Sequence, residues 1–193
     1  MAKKNLKPDT HLTPTPAVMV SCQRGEEKPN IITIAWVGVI CSDPPMLSIS
    51  VRPSRYSYGI IKESGEFIVN IPTLEQCKET DYCGIVSGRD VDKFEDTGLT
   101  PEPSTALNAP SIKECPVSLE CELKDIIELG AHDLFLGEVV AVTADESVLD
   151  GDRLEPSRFK TVAYMPPAHE YWSLGEYVGR FGYSRKKSDK AEE

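Results

Sequence analysis

Three stretches of this chain set hydroxyls, guanidinium groups, one ammonium group and one indole beside strand-like runs. They are Asn30-Ile31-Ile32-Thr33-Ile34-Ala35-Trp36, Arg52-Pro53-Ser54-Arg55-Tyr56-Ser57 and Ser87-Gly88-Arg89-Asp90-Val91-Asp92-Lys93-Phe94. Arg offers planar, bidentate donors to an oxyanion, and Lys offers a point charge. Capture of a phosphorylated, flat, redox-active ring needs these groups. Arg52, Arg55, Arg89 and Lys93 are the candidate phosphate cations, with Ser54, Ser57 and Ser87 as hydroxyl donors. A helix starting after Pro53 would add backbone N–H groups. Trp36 is a candidate wall for the ring, and the backbone of Ala35, Trp36 and Val37 can meet its polar edge. Asn30 and Thr33 can bond a polyol chain or ring oxygens. His132, in Gly130-Ala131-His132-Asp133, can donate to a ring oxygen, and its ordinary pKa lets it answer a change in ring charge. A lone Arg is ordinarily a solvated charge and a lone Trp a core residue. Their gathering at strand ends points instead to a flavin mononucleotide (FMN) site.

Other chemistries lack their signatures. The six cysteines (Cys22, Cys41, Cys77, Cys83, Cys115, Cys121) include no C-x-x-C pair, which argues against a zinc ribbon or thioredoxin-like site. Cys115 and Cys121 would share one strand face as small core residues, and all six read as reduced thiols. Cys83 lies nearest the candidate site and reads as packing first, redox second. No two histidines stand at ligand spacing; His11 and His169 fall beside prolines in loops. Gly-x-Ser-x-Gly and G-x-G-x-x-G are both missing, so neither a hydrolase elbow nor a Rossmann site is indicated.

The elements that must position these groups read mainly as strands. Ala17–Cys22 and Ile31–Ile40 are expected as strands, the second buried, joined by a turn over Gly25–Asn30. Met46–Arg52 alternates, with Leu47, Ile49 and Val51 facing one way and Ser48, Ser50 and Arg52 the other, so it is a half-buried strand with a polar face. Ser54 is expected to cap a helix over Arg55–Glu63. A strand follows at Glu66–Ile71, then short helices at Leu74–Cys83 and at Val91–Asp96, the last capped by Asp90. Thr97–Ala109 reads as loop. Val117–Leu129 and Leu134–Thr143 are two long strands, with Gly130 at the bend between them. Many strands and few short helices suggest an antiparallel barrel rather than a doubly wound parallel sheet.

The chain has 193 residues, 40% of them hydrophobic, which suits one domain. The expected organisation is an arm over 1–16, a domain over 17–183 and a solvated tail over 184–193. A net charge of −10 without a basic block argues against nucleic acid and against an anionic membrane surface. The longest apolar run, Ile31–Cys41, is too short to span a bilayer, and the polar start has no signal-peptide core, so a cytoplasmic location is expected.

In this order and spacing, the chain resembles the flavin reductase-like family of FMN-binding split barrels, and within it the flavoredoxin branch. The resemblance runs from about Pro14 to about Gly182. It is carried by Asn30–Trp36, by Ser50-Val51-Arg52-Pro53 with Arg55-Tyr56-Ser57, and by Phe67-Ile68-Val69-Asn70-Ile71-Pro72. Asp81-Tyr82-Cys83-Gly84, Ser87–Phe94 and His132–Val139 complete it. It implies a mainly β fold: a six-stranded antiparallel split β-barrel of Greek-key type with a few short flanking helices. It also implies a homodimer with FMN near the interface. Asn30, Trp36 and His132 would approach the ring, with His132 the candidate catalytic group; Arg55, Ser57 and Lys93 would hold the phosphate and ribityl end. Ser50, Val51 and Tyr164 would also contact the cofactor. Ser57 stands where threonine is common, and Tyr164 precedes the proline-rich Met165-Pro166-Pro167. The expected function is hydride acceptance from NADH or NADPH onto FMN, with onward transfer to an acceptor. The alternative is a flavoredoxin-type electron carrier serving redox protein partners, which the acidic surface suits. A non-redox flavin-storage or sensing module is a third class.

Overall fold

A computed structural model describes residues 1–184; the expected tail over 184–193 lies outside the described residues apart from Ser184. The strands are β1 (Thr15–Pro16), β2 (Val18–Cys22), β3 (Asn30–Ile34), β4 (Val37–Ser42), β5 (Pro45–Val51), β6 (Glu66–Ile71), β7 (Pro101–Glu102) and β8 (Ser111–Ile112). They continue with β9 (Val117–Glu128), β10 (Asp133–Ala144), β11 (Leu149–Asp150), β12 (Arg153–Leu154), β13 (Val162–Met165) and β14 (Glu170–Ser173). The α-helices are α1 (Tyr56–Ser64), α2 (Cys77–Ile85) and α3 (Lys93–Thr97).

The main sheet has seven strands in the order β3-β2-β6-β9-β10-β5-β4, every pairing antiparallel. Its two edges, β3 and β4, are consecutive in the chain, separated only by Ala35 and Trp36. Crossing from Ile34 to Val37 spans at most about 11 Å of extended backbone. The adjoining ends of the two edges must therefore lie close together, and the sheet rolls into a barrel. At the bend between them, Ser50 N–H donates to the Trp36 carbonyl at 2.9 Å, continuing the β4–β5 pairing one step past Val37–Ile49. Counting β3 and β4 as one interrupted segment recovers the six strands expected for a split barrel.

The single buried strand expected over Ile31–Ile40 is thus corrected to two. Its second half is largely exposed, Val39 most of all. The apolar run is continuous, but only its first half faces the core. The β5 alternation holds: Leu47, Ile49 and Val51 enter a core with Val20, Ile32, Phe67 and Phe135. Register shifts in the β9–β10 pairing increase the curl. Beside one of them, Gly137 leaves room for Phe67, whose ring would stand 2.6 Å from an added Cβ.

Helix ends shift from their expected places. α1 begins at Tyr56 with Arg55 rather than Ser54 at its N-cap, and the segment from Leu74 is a 3-10 turn before α2 starts at Cys77. α3 is capped by Asp92, not Asp90: the Asp92 carboxylate accepts the Glu95 N–H at 3.3 Å. Cys115 lies outside β9 and joins a different buried cluster from Cys121, so the two do not share a strand face. Thr15 and Pro16, assigned to the arm, instead pair with β13 in a small sheet β1-β13-β14 that the sequence reading missed. All six cysteines are free thiols.

On the face of the main sheet away from that core, two buried carboxylates organise a loop. Glu120 accepts the N–H groups of Thr105, Ala106 and Leu107 at 2.8, 2.7 and 3.1 Å. Glu66 accepts those of Asn108 and Ala109 at 3.0 and 2.8 Å. Burying a carboxylate is costly unless such donors surround it, and removing it strands the donors. We predict that Glu120→Ala lowers the free energy of unfolding by about 3 kcal/mol, read from the denaturant midpoint at constant m value. A loss below about 0.5 kcal/mol would show that water replaces the carboxylate without cost.

Candidate functional site

The barrel seam opens into a two-lobed cleft. The larger lobe, about 480 Å³, is lined by Thr33, Ala35 and Trp36 from the β3 side, Ser50, Val51 and Arg52 from the β5 side, and Arg55, His132 and Tyr164. The smaller lobe, about 230 Å³, is lined by Asn30, Arg52, Arg55, Ser57, Arg89 and Lys93 among others. Ile32, Arg52 and Arg55 line both, so the lobes are continuous. The fold brings every expected site residue to this cleft except Val37, which packs against the hydrophobic core.

The smaller lobe is a cage of donors. Arg55 lines it from the start of α1, and among the described residues its guanidinium has no hydrogen-bond or ion-pair partner. Arg89 donates to the Ser54 carbonyl at 3.1 Å and lies over the Tyr56 ring at 5.6 Å, which holds it at the mouth. Lys93 is only 3% exposed and donates to the carbonyls of Ile31 and Cys83, both at 2.8 Å. An ammonium has three N–H groups, so one remains for the cavity it lines. Burial pulls its pKa down to about 8, and nearby Arg55 pulls the same way. Asn30 donates to the Ser57 hydroxyl at 2.8 Å, fixing both buried side chains. Gly88 passes so close that an added Cβ would sit 2.0 Å from the Asn30 side-chain oxygen, so only glycine lets the loop cover Asn30. Burial pushes the Cys22 thiol up to about 12 and Cys83 to about 11, which removes both as thiolates near neutral pH.

The larger lobe has a different character. Trp36 is 42% exposed, a wall rather than core, and stacks on His132 with ring centroids 5.9 Å apart and planes 12° off parallel. Arg52 Nε–H donates to His132 Nε2 at 3.2 Å, which puts the imidazole proton on Nδ1 in the neutral ring. Burial, then Arg52 and Arg55, lower the His132 pKa. Thr33 donates to the Thr80 carbonyl, tying β3 to α2, so its hydroxyl proton is already committed. Gly84 of α2 packs on Thr33, 3.3 Å from an added Cβ to the Thr33 Cβ, and opens the lobe there. Among the lining groups given no site role by the sequence are Ile85 on α2, His169 in the β13–β14 loop and Tyr171 on β14, with Asp81 named only inside the Asp81–Gly84 motif. That motif and Tyr164 were the signals, and neither hinted at the β13–β14 hairpin.

His132 is predicted to titrate below the ordinary imidazole value of about 6.5, and Arg52→Leu to move it upward, because that substitution removes the first neighbouring cation. The imidazole proton shifts in NMR follow this directly; an unmoved midpoint would break the Arg52–His132 coupling.

Comparison with known proteins gives a consistent answer. Residues 10–164 match the model of the flavin reductase like domain. A flavoredoxin from Desulfovibrio vulgaris (Miyazaki F) superposes with a TM-score of 0.89 at 36% identity, covering 95% of this chain and 99% of that one. A flavoredoxin from Methanosarcina acetivorans gives 0.88 at 30% identity, covering 95% and 97%. An FMN-binding protein from Thermus thermophilus gives 0.78 at 26% identity, covering 93% and 97%. With the family model matching most of its length and the rolled seven-stranded sheet carrying the cleft at its seam, the chain belongs to the flavin reductase-like family of split barrels, on its flavoredoxin branch.

Proposed function

We propose that the chain binds FMN in the two-lobed cleft and works as an electron-transfer flavoprotein of the flavoredoxin kind. The observation that carries this reading is the junction at Arg55. A guanidinium without a protein partner among the described residues stands where a donor-lined lobe meets an aromatic-walled one. A phosphate on a polar stalk beside a flat ring has that same division of chemistry. When bound, FMN would supply the capacity to take up and release one or two electrons.

The chain's own residues then have distinct tasks. Arg55, Arg89, Lys93 and Ser57 hold the phosphate end, with the exposed N–H groups that open α1. Asn30 is locked by Ser57 and meets the stalk. Trp36 and His132 flank the ring, and His132 offers a hydrogen bond from Nδ1 without a charge. Lys93 does double duty, since its two carbonyl bonds also tie α3 to β3 and α2. A carrier role is supported by the likeness to two flavoredoxins and by the net charge of −10, which suits docking to a basic redox protein. A homodimer fits the exposed Val39, Ile40, Val140 and Val142 on β4 and β10. Among the described residues, no helix is long and apolar enough to cross a membrane.

A second reading, hydride acceptance from NADH or NADPH, is supported by the flavin reductase description of the family model. The two separate cleanly. A carrier shows electron transfer to a protein partner that falls steeply with salt. A reductase shows its flavin absorbance bleaching when NADH or NADPH is added without oxygen.

Cofactor binding itself is tested by equilibrium titration of the FMN-free protein. Arg55→Ala is expected to weaken FMN affinity by about 1.5–3 kcal/mol, on the order of ten- to a hundred-fold. Retention at full affinity would remove Arg55 from the site. Lys93 gives a pH signature with a definite sign. Its ammonium in the FMN-free protein loses its proton above about pH 8, so affinity should fall as pH rises through that value. An affinity that holds constant from about pH 7 to 9 would show that Lys93 does not meet the phosphate.

A further inference from the structure

Beyond β14 the chain runs over residues 174–184 without helix or strand. Leu174, Tyr177, Val178, Phe181 and Tyr183 are all exposed along this arm, as is Trp172 on β14 just before it. Single apolar residues on a surface are ordinary, but a run this dense forms a patch that water penalises. Among the described residues the arm makes one hydrogen bond, from Tyr183 N–H to the Arg180 carbonyl at 2.9 Å, and it is internal. Glu176 and Arg180 are its acid and its base, so the arm is neutral in a chain of net charge −10. A basic redox protein or a nucleic acid is met by charge, and this segment offers none. It also lacks the helical amphipathic form and the excess of Lys and Arg with which interfacial segments hold an anionic bilayer.

An apolar surface of the same molecule lacks a cover. Among the described residues β4 pairs with β5 alone, so its outer edge keeps unpaired N–H and C=O groups. Val39 and Ile40 are exposed on that edge strand, and Val140 and Val142 are exposed on β10, the other neighbour of β5. An apolar edge invites pairing with another chain, and native proteins cover it.

We propose that the arm crosses to a second copy of this chain and covers its β4 edge, while the arm of that copy returns the contact. Two complementary patches on one chain close into a two-fold pair when each arm docks on the other's strand. At about 3.3 Å per extended residue the arm reaches about 36 Å, enough to leave one barrel for the next. A buried aromatic side chain covers about 150–250 Å², so at their exposures the four aromatics offer on the order of 600 Å² per arm. Two arms, each meeting a matching surface, come within the range of about 1,200–2,000 Å² of a stable interface. The inference rests on the homodimer reading above and gives it a structural device. It is separate from the flavin reading, since neither the arm nor these valines and Ile40 line the cleft.

Sedimentation velocity of the full chain over a dilution series tests it. Wild type is expected to be a dimer. The double variant Tyr177→Ser with Phe181→Ser should dissociate on the order of a hundredfold more readily, with an unchanged circular dichroism spectrum because both side chains are exposed in the single chain. Val39→Glu, on the receiving strand, should weaken the dimer in the same way. A photo-crosslinking amino acid in place of Phe181, in a mixture of isotope-labelled and unlabelled chains, should join the arm of one chain to β4 of the other. A wild-type monomer overturns the homodimer and this inference together. A dimer that withstands these substitutions, or crosslinks confined to one chain, overturns the arm's role and leaves the homodimer to another surface. The Arg55→Ala titration reads the flavin site separately from all of these outcomes.

Discussion

Two residues, Ala35 and Trp36, carry the chain from one edge of the main sheet to the other. That short passage is the constraint on which the architecture rests. A seven-stranded sheet whose outermost strands are neighbours in sequence has no flat form available to it. It must roll, and the roll leaves a seam where β3 and β4 are not paired with each other, while Ser50 N–H still holds the Trp36 carbonyl against β5. Backbone and side chains that a closed barrel would consume in pairing are free at such a seam. The cleft lies there for that reason, and Trp36 is half exposed because it sits on the turn between two edges.

The polar half of the cleft shows how one side chain can serve fold and site together. Lys93 starts α3, and its ammonium reaches carbonyls of β3 and α2. An ammonium with two neutral carbonyls and low solvent exposure is only partly compensated. The depressed pKa is the physical record of that deficit. An anion in the adjoining lobe would complete the compensation. Arg55 and Arg89 work differently, as exposed guanidinium groups whose backbone origins, an N-cap and a tight loop over Gly88, fix where they begin rather than where they end.

Much of this was legible in the sequence because it is local. The alternation of Met46–Arg52 stated which face is buried, and the cations flanking strand ends did converge on one cavity. The split of Ile31–Ile40 was not legible, since an apolar run carries no mark of where its burial stops. Cap positions moved by one or two residues, from Ser54 to Arg55 and from Asp90 to Asp92, because side-chain type alone does not fix where the chain turns into a helix. The β1-β13-β14 sheet was hidden for a different reason. Its strands are short, one is flanked by prolines, and the pairing of Thr15 with Tyr164 spans nearly the whole chain. His169 was invisible as a wall residue because its place is set by a left-handed backbone angle.

The weakened acidity of the Cys22 and Cys83 thiols has a bearing on the protein's durability. A reduced flavin generates peroxide when its electrons leak to oxygen, and peroxide attacks cysteine through the thiolate. Sulfur atoms next to such a centre are normally a liability. Here both are buried and held as S–H near neutral pH, so a flavin bound in the cleft would have no ready thiolate beside it to oxidise.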